Sequence, residues 1–291
     1  MANEAPARIA FLSDIHIDSK RTPRSFDDAV ACFRRAVELG VDHVVVGGDL
    51  FDKRSVIESD GPRLRGALQE LGLWRPDRLT AIPGNHDLYD LAHNDFEVSS
   101  LHSLGVGIAS GYDAAPFARW AAPLTDDGGP LRVPLMRRVG HVRLVGVDSV
   151  PKEISKFASG VWTTELDGVL RNWLSGTYGA RNVLVMHHSP QPEPGTFASF
   201  RVPRSHDDLN ELMKPRALFP EDFERLRRFL EALPIDVILC GHHHAHSSWS
   251  VGRAQVFREG RTQRDERGGP MFGILSVPPK GAITYERVAM P

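Results

Sequence analysis

The stretch "IDVILCGHHHAH", residues 235–246, joins an apolar run directly to four histidines. The run has the length and composition of a strand buried on both faces, which is typical of a parallel sheet. Upstream, four more strand-like runs end in polar residues, in the segments "SDIHID", "GGDLFD", "PGNHDLYD" and "MHHSP". Because ligands of α/β folds gather outside the carboxyl ends of the strands, these five strand ends predict one shared pocket.

Helical patterns alternate with the apolar runs. The segment at 25–40 repeats apolar residues at helical spacing, with Ser25 as the expected N-cap and Gly40 as the expected C-terminal cap. Further helices are predicted at about 62–71, 163–174 and 220–233. The alternation of strands and helices predicts an α/β fold.

The length of 291 residues suits one large domain or two small ones, and we predict a single domain over 1–291. Segments at about 111–135 and 190–219 are rich in Pro, Gly and polar residues, so we expect them to be loop excursions from the sheet. The end of the chain, about 249–291, is expected to be a β-rich extension with three strand-like runs.

Composition excludes several classes of protein. Lys and Arg total 35 against 37 Asp and Glu, which gives no support to a broad nucleic-acid surface, although a local basic patch is compatible with it. The two cysteines cannot form a disulfide framework. The start of the chain lacks a secretion signal, and no apolar run approaches the ~20 residues that span a bilayer. A cytoplasmic protein without a membrane partner is expected.

Their spacing predicts which of the four crowded histidines face the same side of the chain. In an extended segment side chains alternate, so His242 and His244 would face one side while His243 faces the other. Asp14 and His16 have the same i, i+2 relation. His243 and His246 are therefore expected to be bystanders. Each motif alone could be a loop or turn, and only their joint occurrence favours a metal site.

The ordered motifs resemble those of the calcineurin-like metallophosphoesterases over roughly residues 8–250. The motifs are Asp-x-His, Gly-Asp, Gly-Asn-His-Asp, a strand-ending His, and Gly-His-x-His. The resemblance implies a four-layer α/β/β/α sandwich that holds two divalent metal ions. It also implies a ligand set: one metal on Asp14, His16 and His244, the other on Asn85, His187 and His242, with Asp49 bridging both. It favours His187 over His188 as the ligand from "HH".

The residue types fit this chemistry. Imidazole suits Mn, Fe, Zn, Ni or Co, whereas carboxylate and amide oxygens suit harder cations, so the metal is left open. We hypothesise direct attack on phosphorus by a hydroxide that bridges the metals. In this hypothesis His86 protonates the leaving oxygen or binds a phosphate oxygen, and Asp87 either orients His86 or caps a helix.

Differences between these motifs and those of better-defined branches of the metallophosphoesterases indicate which branch the chain resembles. Protein phosphatases typically carry Gly-Asp-x-His-Gly and Gly-Asn-His-Glu, which this chain lacks. The stretch "GGDLFDKRSV" is similar to SbcD-type DNA-repair nuclease subunits, but the chain has little room for their capping domain. The region from "VDSVPKEI" to "VLVMHHSP" resembles small phosphodiesterases, including class III cyclic-nucleotide phosphodiesterases.

We therefore expect hydrolysis of phosphodiesters, with a phosphate-ester substrate such as a nucleotide or nucleic acid. A phosphomonoesterase and a DNA-repair-type nuclease are the alternatives, and a non-catalytic binding module is a further one. The excursion at 190–219, which carries Arg201 and Lys214, is expected to overhang the pocket.

Overall fold

Two β-sheets form the centre of the computed structural model, which describes residues 5–90, 111–152, 160–175, 180–191, 218, 220–262 and 268–290. The first sheet has the strand order β11-β10-β1-β2-β3 and the second β4-β5-β6-β7-β9-β8. The first contains β1 (Ala7–Leu12), β2 (His43–Gly47), β3 (Leu79–Ile82), β10 (Met271–Val277) and β11 (Thr284–Ala289). The second contains β4 (Leu135–Val139), β5 (Val142–Gly146), β6 (Arg181–Val185), β7 (Val237–Cys240), β8 (Ser247–Val251) and β9 (Ala254–Arg258).

The parallel strands lie in the middle of each sheet, and antiparallel strands flank them. In the first sheet β1, β2 and β3 are parallel, with β10 antiparallel to β1. In the second, β5, β6, β7 and β9 are parallel, with β4 and β8 antiparallel at the edges. The carboxyl ends of the parallel strands therefore meet at one edge of each sheet, where the predicted motifs follow them.

Helices cover the outer face of each sheet. They are α1 (Arg24–Glu38), α2 (Val56–Glu70), α3 (Asn85–Leu88), α4 (Ala115–Trp120), α5 (Thr164–Leu174) and α6 (Pro220–Ala232). One core lies between the first sheet and its helices, and a second lies between the other sheet and its helices. A third core joins the sheets, with residues such as Phe11, Val45, Leu144 and Val183 packed together. These layers confirm the predicted α/β/β/α sandwich.

The first helix begins at Arg24, two residues earlier than an N-cap at Ser25 predicts. Ser25 lies inside α1, where its hydroxyl donates to the Thr22 carbonyl (2.7 Å) and accepts from the Asp18 amide (3.0 Å). The prediction of Ser25 as N-cap is wrong because this hydroxyl secures the preceding turn. Gly40 follows the helix with φ of 67°, and its amide donates to Val37, so the predicted C-terminal cap is confirmed.

The second helix begins at Val56 instead of residue 62. Pro62 lies inside it, although proline often marks a helix start. The buried Val56 and Ile57 anchor the first turn, and the Asp90 carboxylate accepts the Ser55 amide (2.6 Å) there. Tertiary packing thus extends this helix before the proline.

The structure describes the first predicted excursion and most of the predicted β-rich extension. Residues 111–135 contain α4 and a 3-10 turn at Ala122–Leu124, with Trp120 buried and donating to the Gly61 carbonyl (3.0 Å). Most of 190–219 lies outside the described residues. The end of the chain forms four strands, not three, and β9 and β10 complete different sheets. The prediction of one domain over 1–291 stays a prediction. Among the described helices, none has the length and apolar character to cross a membrane.

Candidate metal centre

The loops after the parallel strands are hydrogen-bonded to one another. The amides of Asp14 and His16 donate to the carbonyls of Gly48 (3.1 Å) and Asp49 (3.0 Å), so the loops after β1 and β2 run side by side. In the second sheet the Gly241 amide donates to the His187 carbonyl (2.9 Å). The His242 amide then reaches the other sheet and donates to the Asp14 carboxylate (2.9 Å). Backbone bonding therefore brings the polar strand ends into one cluster.

One group of donor atoms contains Asp14, His16 and His244. The Nε2 atoms of the two histidines are 3.1 Å apart, and His244 Nε2 lies 3.4 Å from Asp14 Oδ1. Asp14 and His16 are buried. Three lone-pair atoms at such short separations form a group that could hold one metal ion.

A second group surrounds His187, whose side chain is fully buried. Its Nε2 lies 3.1 Å from Asn85 Oδ1, 3.2 Å from Asp49 Oδ2 and 3.2 Å from His242 Nδ1. Asp49 Oδ2 is also 3.8 Å from His16 Nε2, in the first group. Asp49 thus lies between the two groups, as the resemblance implied for a bridging ligand.

The backbone is strained at five of the seven expected ligands. Among the described residues other than glycine, positive φ values of 50° to 72° occur only at Asp14, His16, Asp49, His242 and His244. Each such conformation costs about 1–3 kcal/mol and is typical of functional sites. The expected extended conformation of the His242 and Asp14 segments is therefore wrong, yet both members of each pair still reach the cluster.

Two glycines allow the loops to approach closely. A Cβ atom at Gly84 would overlap the Asp49 side chain and amide. A Cβ atom at Gly241 would overlap Ser13 Oγ and the Asp14 carboxylate. The glycines of "GNHD" and "CGHH" are thus needed so that neighbouring loops can bring their donor atoms together.

Burial sets the protonation of the imidazoles. Burial and the neighbouring His187 lower the pKa of His242 to about 3, and burial also lowers the pKa of His16 to about 4. Burial alone would lower the pKa of His187 as well, but the Asp49 and Asp14 carboxylates raise it to about 9. Neutral imidazole is the form that binds metals, so a metal at His187 must displace a proton.

The whole donor set fits two divalent ions. It offers four imidazole nitrogens, two carboxylates and one amide oxygen, from side chains that the sequence predicted together. Short separations between lone-pair atoms, and backbone strain at five of the seven donors, are typical of a preformed metal site. The set mixes nitrogen and oxygen ligands, which leaves the identity of the metal open.

His86 lies beside this cluster and is held by Asp52. Its Nδ1 donates to the Asp52 carbonyl (2.7 Å), and its amide donates to Asp49 Oδ1 (2.9 Å). The Asp52 carboxylate in turn lies 3.5 Å from His16 Nδ1. Sequence reasoning missed Asp52, although its position three residues after Asp49 in "GDLFD" was a usable signal.

Asp87 makes different contacts from those of a group that orients His86. Its buried carboxylate accepts from the amides of Gly84 (2.9 Å), Phe51 (2.9 Å) and Leu50 (3.3 Å). Burial and the nearby Asp49 nonetheless raise the pKa of Asp87 to about 7. The bond from the Gly84 amide lets Asp87 cap the start of α3, which agrees with the capping alternative, although Gly84 is the N-cap residue. The other two bonds pack this turn against the loop after β2, while the Asp52 carbonyl bonds to the His86 ring.

The other histidines surround the cluster. His188 Nδ1 lies 3.0 Å from Ser149 Oγ, and the His188 ring packs 4.5 Å from that of His242. The ring of His243 is 6.2 Å from that of His242. His246 stacks on Tyr285, and its Nδ1 lies 3.8 Å from Glu259. Among the residues that the structure describes, these three histidines belong to none of the donor groups that could hold a metal ion, and their predicted role outside the ligand set stays a prediction.

Comparison with known proteins identifies the family. The family model described as calcineurin-like phosphoesterase matches residues 7–246. A DNA double-strand break repair protein, Mre11, from Methanosarcina mazei is 25% identical over 290 residues, which cover 94% of this chain and 37% of that protein. The chain thus spans little more than a third of the curated relative that it matches.

Two solved structures share the fold. A dimetal phosphatase from Danio rerio superposes with a TM-score of 0.58 at 13% identity, over 98% of this chain and 99% of the other. GAP50, the anchor in the inner membrane complex of Plasmodium, has a TM-score of 0.52 at 13% identity, over 98% of this chain and 85% of the other. The family model covers far more than half of the chain, and the chain therefore belongs to the calcineurin-like phosphoesterase family.

Proposed function

We propose that this family member hydrolyses phosphodiester bonds with two divalent metal ions. One ion would be held by Asp14, His16 and His244, and the other by Asn85, His187 and His242, with Asp49 shared. The observation that carries the proposal is the convergence of these seven donors, whose lone-pair atoms lie 3.1–3.8 Å from their neighbours. Divalent ions bound there would activate a water molecule and stabilise negative charge on the phosphoryl group.

The charge of the donor set favours an anionic substrate. Only Asp14 and Asp49 bring negative charge, because the other donors are imidazoles and the Asn85 amide. Replacing Asn85 by a carboxylate would remove much of the surplus positive charge of a loaded centre. A neutral amide at this position therefore fits a centre that attracts phosphate oxygens.

His86 is the residue proposed to handle the proton of the leaving group. The hydrogen bond from Nδ1 to the Asp52 carbonyl fixes the ring, so Nε2 is the atom available to the substrate. When Nε2 carries a proton, it can donate to the leaving oxygen or hold a phosphate oxygen. Asp52 acts through His86 and His16 and is a positioning residue.

The preference for diesters rests on the similarity of the region around Asp148 and His187 to small phosphodiesterases. The relative from Methanosarcina is named for DNA repair, which supports including nucleic-acid strands among the candidate diesters. The solved neighbour named a phosphatase shares the fold alone, and a monoester is the second candidate substrate.

A paired assay tests the reaction. Protein stripped of metal and reloaded with Mn²⁺ is given bis-p-nitrophenyl phosphate and p-nitrophenyl phosphate. The Asp49→Asn variant removes the shared ligand, and Asp126→Asn, whose side chain is 78% exposed on the surface, is the matched control. Faster cleavage of the diester that only Asp49→Asn abolishes supports the proposal. A preference for the monoester supports the phosphatase, and no cleavage of either ester contradicts both.

A further inference from the structure

A basic cavity lies next to the candidate metal centre. Its volume is about 370 Å³, and its lining includes Lys20, Arg21 and Lys53 together with Asp18 and Ser55. The lining has three cations against one carboxylate, and Asp52 beside it pairs with Arg21 (3.5 Å), so a net positive charge remains, with the two lysines as its main source. The chain as a whole is nearly neutral, so the cavity is a local concentration of positive charge.

The Asp18 carboxylate offsets one positive charge of the lining, but it is not hydrogen-bonded to the Lys53 ammonium. Asp18 Oδ1 accepts the amides of Lys20 and Arg21, each at 3.1 Å, and its side chain is buried. Its other oxygen lies 3.8 Å from Lys53 Nζ, which is beyond hydrogen-bond distance. The Lys53 ammonium can therefore donate to an incoming oxygen without breaking a hydrogen bond to Asp18.

The start of α2 also borders the cavity, but its backbone is not the anion-binding element. The Ser55 amide donates to Asp90 Oδ1, and the Val56 amide donates to the Lys53 carbonyl (3.0 Å). These bonds already satisfy the first amides of the helix. Recognition in this cavity therefore depends on the lysine and arginine side chains.

One residue separates the cavity from the catalytic side of the site. Asp52 Oδ2 lies 3.5 Å from Arg21 Nη1, and Asp52 Oδ1 lies 3.5 Å from His16 Nδ1. The Asp52 carbonyl also accepts from His86. Asp52 thus contacts the cavity lining on one side and residues of the candidate site on the other.

We propose that this cavity binds a second phosphate group of the substrate, the one next to the phosphodiester that is cleaved. The inference rests on the proposed phosphodiesterase function and names its substrate class: a nucleotide chain with at least two phosphates. Charge-assisted hydrogen bonds from ammonium and guanidinium groups are the interactions that recognise phosphate oxygens. An ester with a single phosphate would leave this cavity unused.

Dinucleotide substrates test the proposal. Cleavage of thymidylyl-thymidine is compared with cleavage of its 5′-phosphorylated and 3′-phosphorylated forms, using the 291-residue chain reloaded with Mn²⁺. We expect one phosphorylated form to have a kcat/KM about tenfold above that of the unphosphorylated form, as for two charge-assisted bonds at an accessible site. In Lys20→Gln/Lys53→Gln this ratio should fall to about 1–2. The double variant Arg253→Gln/Lys280→Gln removes the same charge from exposed positions and should keep the ratio.

The outcomes separate this inference from the function on which it rests. A wild-type ratio near one for both phosphorylated forms overturns the second phosphate site. The site is also overturned if Lys20→Gln/Lys53→Gln keeps the wild-type ratio of kcat/KM values, or if Arg253→Gln/Lys280→Gln lowers this ratio equally. If bis-p-nitrophenyl phosphate and all three dinucleotides are left intact, the phosphodiesterase function itself is overturned, and the second phosphate site with it.

Discussion

His86 lies next to the proposed metal ligands, in a donor group with His16 and Asp49, and the proposal gives it a catalytic role instead of a ligand role. Its amide and its ring are bonded to different residues, Asp49 and Asp52, so its backbone position does not depend on its imidazole. Removing the ring should therefore leave the donor atoms of the two groups in place. The proton chemistry of the ring can then be separated from metal binding.

We expect His86→Asn to lower kcat on bis-p-nitrophenyl phosphate by about 10²-fold or more, which is the usual contribution of a general acid. Metal content, measured by elemental analysis, should stay at the wild-type value because all seven donors remain. Asp49→Asn is the contrasting variant, which should lose metal and activity together. Equal loss of metal and turnover in His86→Asn would show that the ring has a structural role instead.

Gly241 should be intolerant of even the smallest side chain. A Cβ atom there meets the Asp14 carboxylate, which is an expected ligand, and Ser13 Oγ. We expect Gly241→Ala to lower the affinity for Mn²⁺ at least tenfold, measured by titration of the metal-free protein, because the two loops must separate. Gly252→Ala, in an open surface turn, is the comparison for the general cost of replacing a turn glycine. Equal metal affinity in both variants would contradict the argument.

Residue chemistry at strand ends was enough to predict which donors meet, but not how the backbone presents them. Asp, Asn and His are recognisable as ligands by type, and strand order brings them to one edge. The left-handed conformation of Asp14 and His242 could not be predicted, because contacts between distant loops impose it against local preference. Asp52 was missed because it holds His86 through its backbone carbonyl, a group that every residue has.

At the scale of secondary-structure elements, His43 ties β2 to the start of β3. The buried imidazole bonds to the Asp77 carbonyl (3.0 Å) and to Thr80 Oγ1 (2.9 Å). Burial, together with nearby arginines, lowers the pKa of His43 to about 4. This residue lies at the amino ends of the strands, opposite the metal centre, so its titration can be followed without disturbing the donors.

The pKa of His43 predicts a pH dependence of stability. The unfolded chain binds a proton to this histidine below its ordinary pKa of 6.5, whereas the folded chain resists protonation down to about 4. The free energy of unfolding should therefore fall as pH falls through this window, by about 1–2 kcal/mol at pH 5 from this group. Urea unfolding at pH 7 and pH 5 should show a smaller loss in His43→Gln than in wild type. Identical losses would refute the assignment.

Element boundaries show where local sequence signals compete with tertiary contacts. Ser25 has the residue type of an N-cap, but its hydroxyl bonds to the Asp18 turn, so the helix starts before it. Pro62 has the residue type of a helix start, but burial of Val56 and Ile57 extends the helix ahead of it. The existence of these helices followed from apolar periodicity, whereas their first residues depended on partners distant in sequence.

At the scale of the whole molecule, the donor set joins the two sheets. Asp14, His16, Asp49 and Asn85 follow strands of the first sheet, and His187, His242 and His244 follow strands of the second. Each expected metal thus takes ligands from both sheets, above the apolar core that packs them together. Metal ions would therefore add crosslinks between two layers that are also joined by apolar packing and by hydrogen bonds such as that from the His242 amide to the Asp14 carboxylate.

This arrangement predicts that metal removal destabilises the entire sandwich. A ligand present at 100 times its Kd adds about 2.7 kcal/mol to the stability of the folded state, which corresponds to about 5 °C in Tm for a chain of this size. Stripping with a chelator should lower Tm by at least this amount, and Mn²⁺ should restore it. In Asp49→Asn both treatments should leave Tm nearly unchanged, because the ligand shared between the two groups is missing. If chelation removes the metal from the wild-type protein but leaves its Tm unchanged, the ions do not stabilise the association of the two sheets.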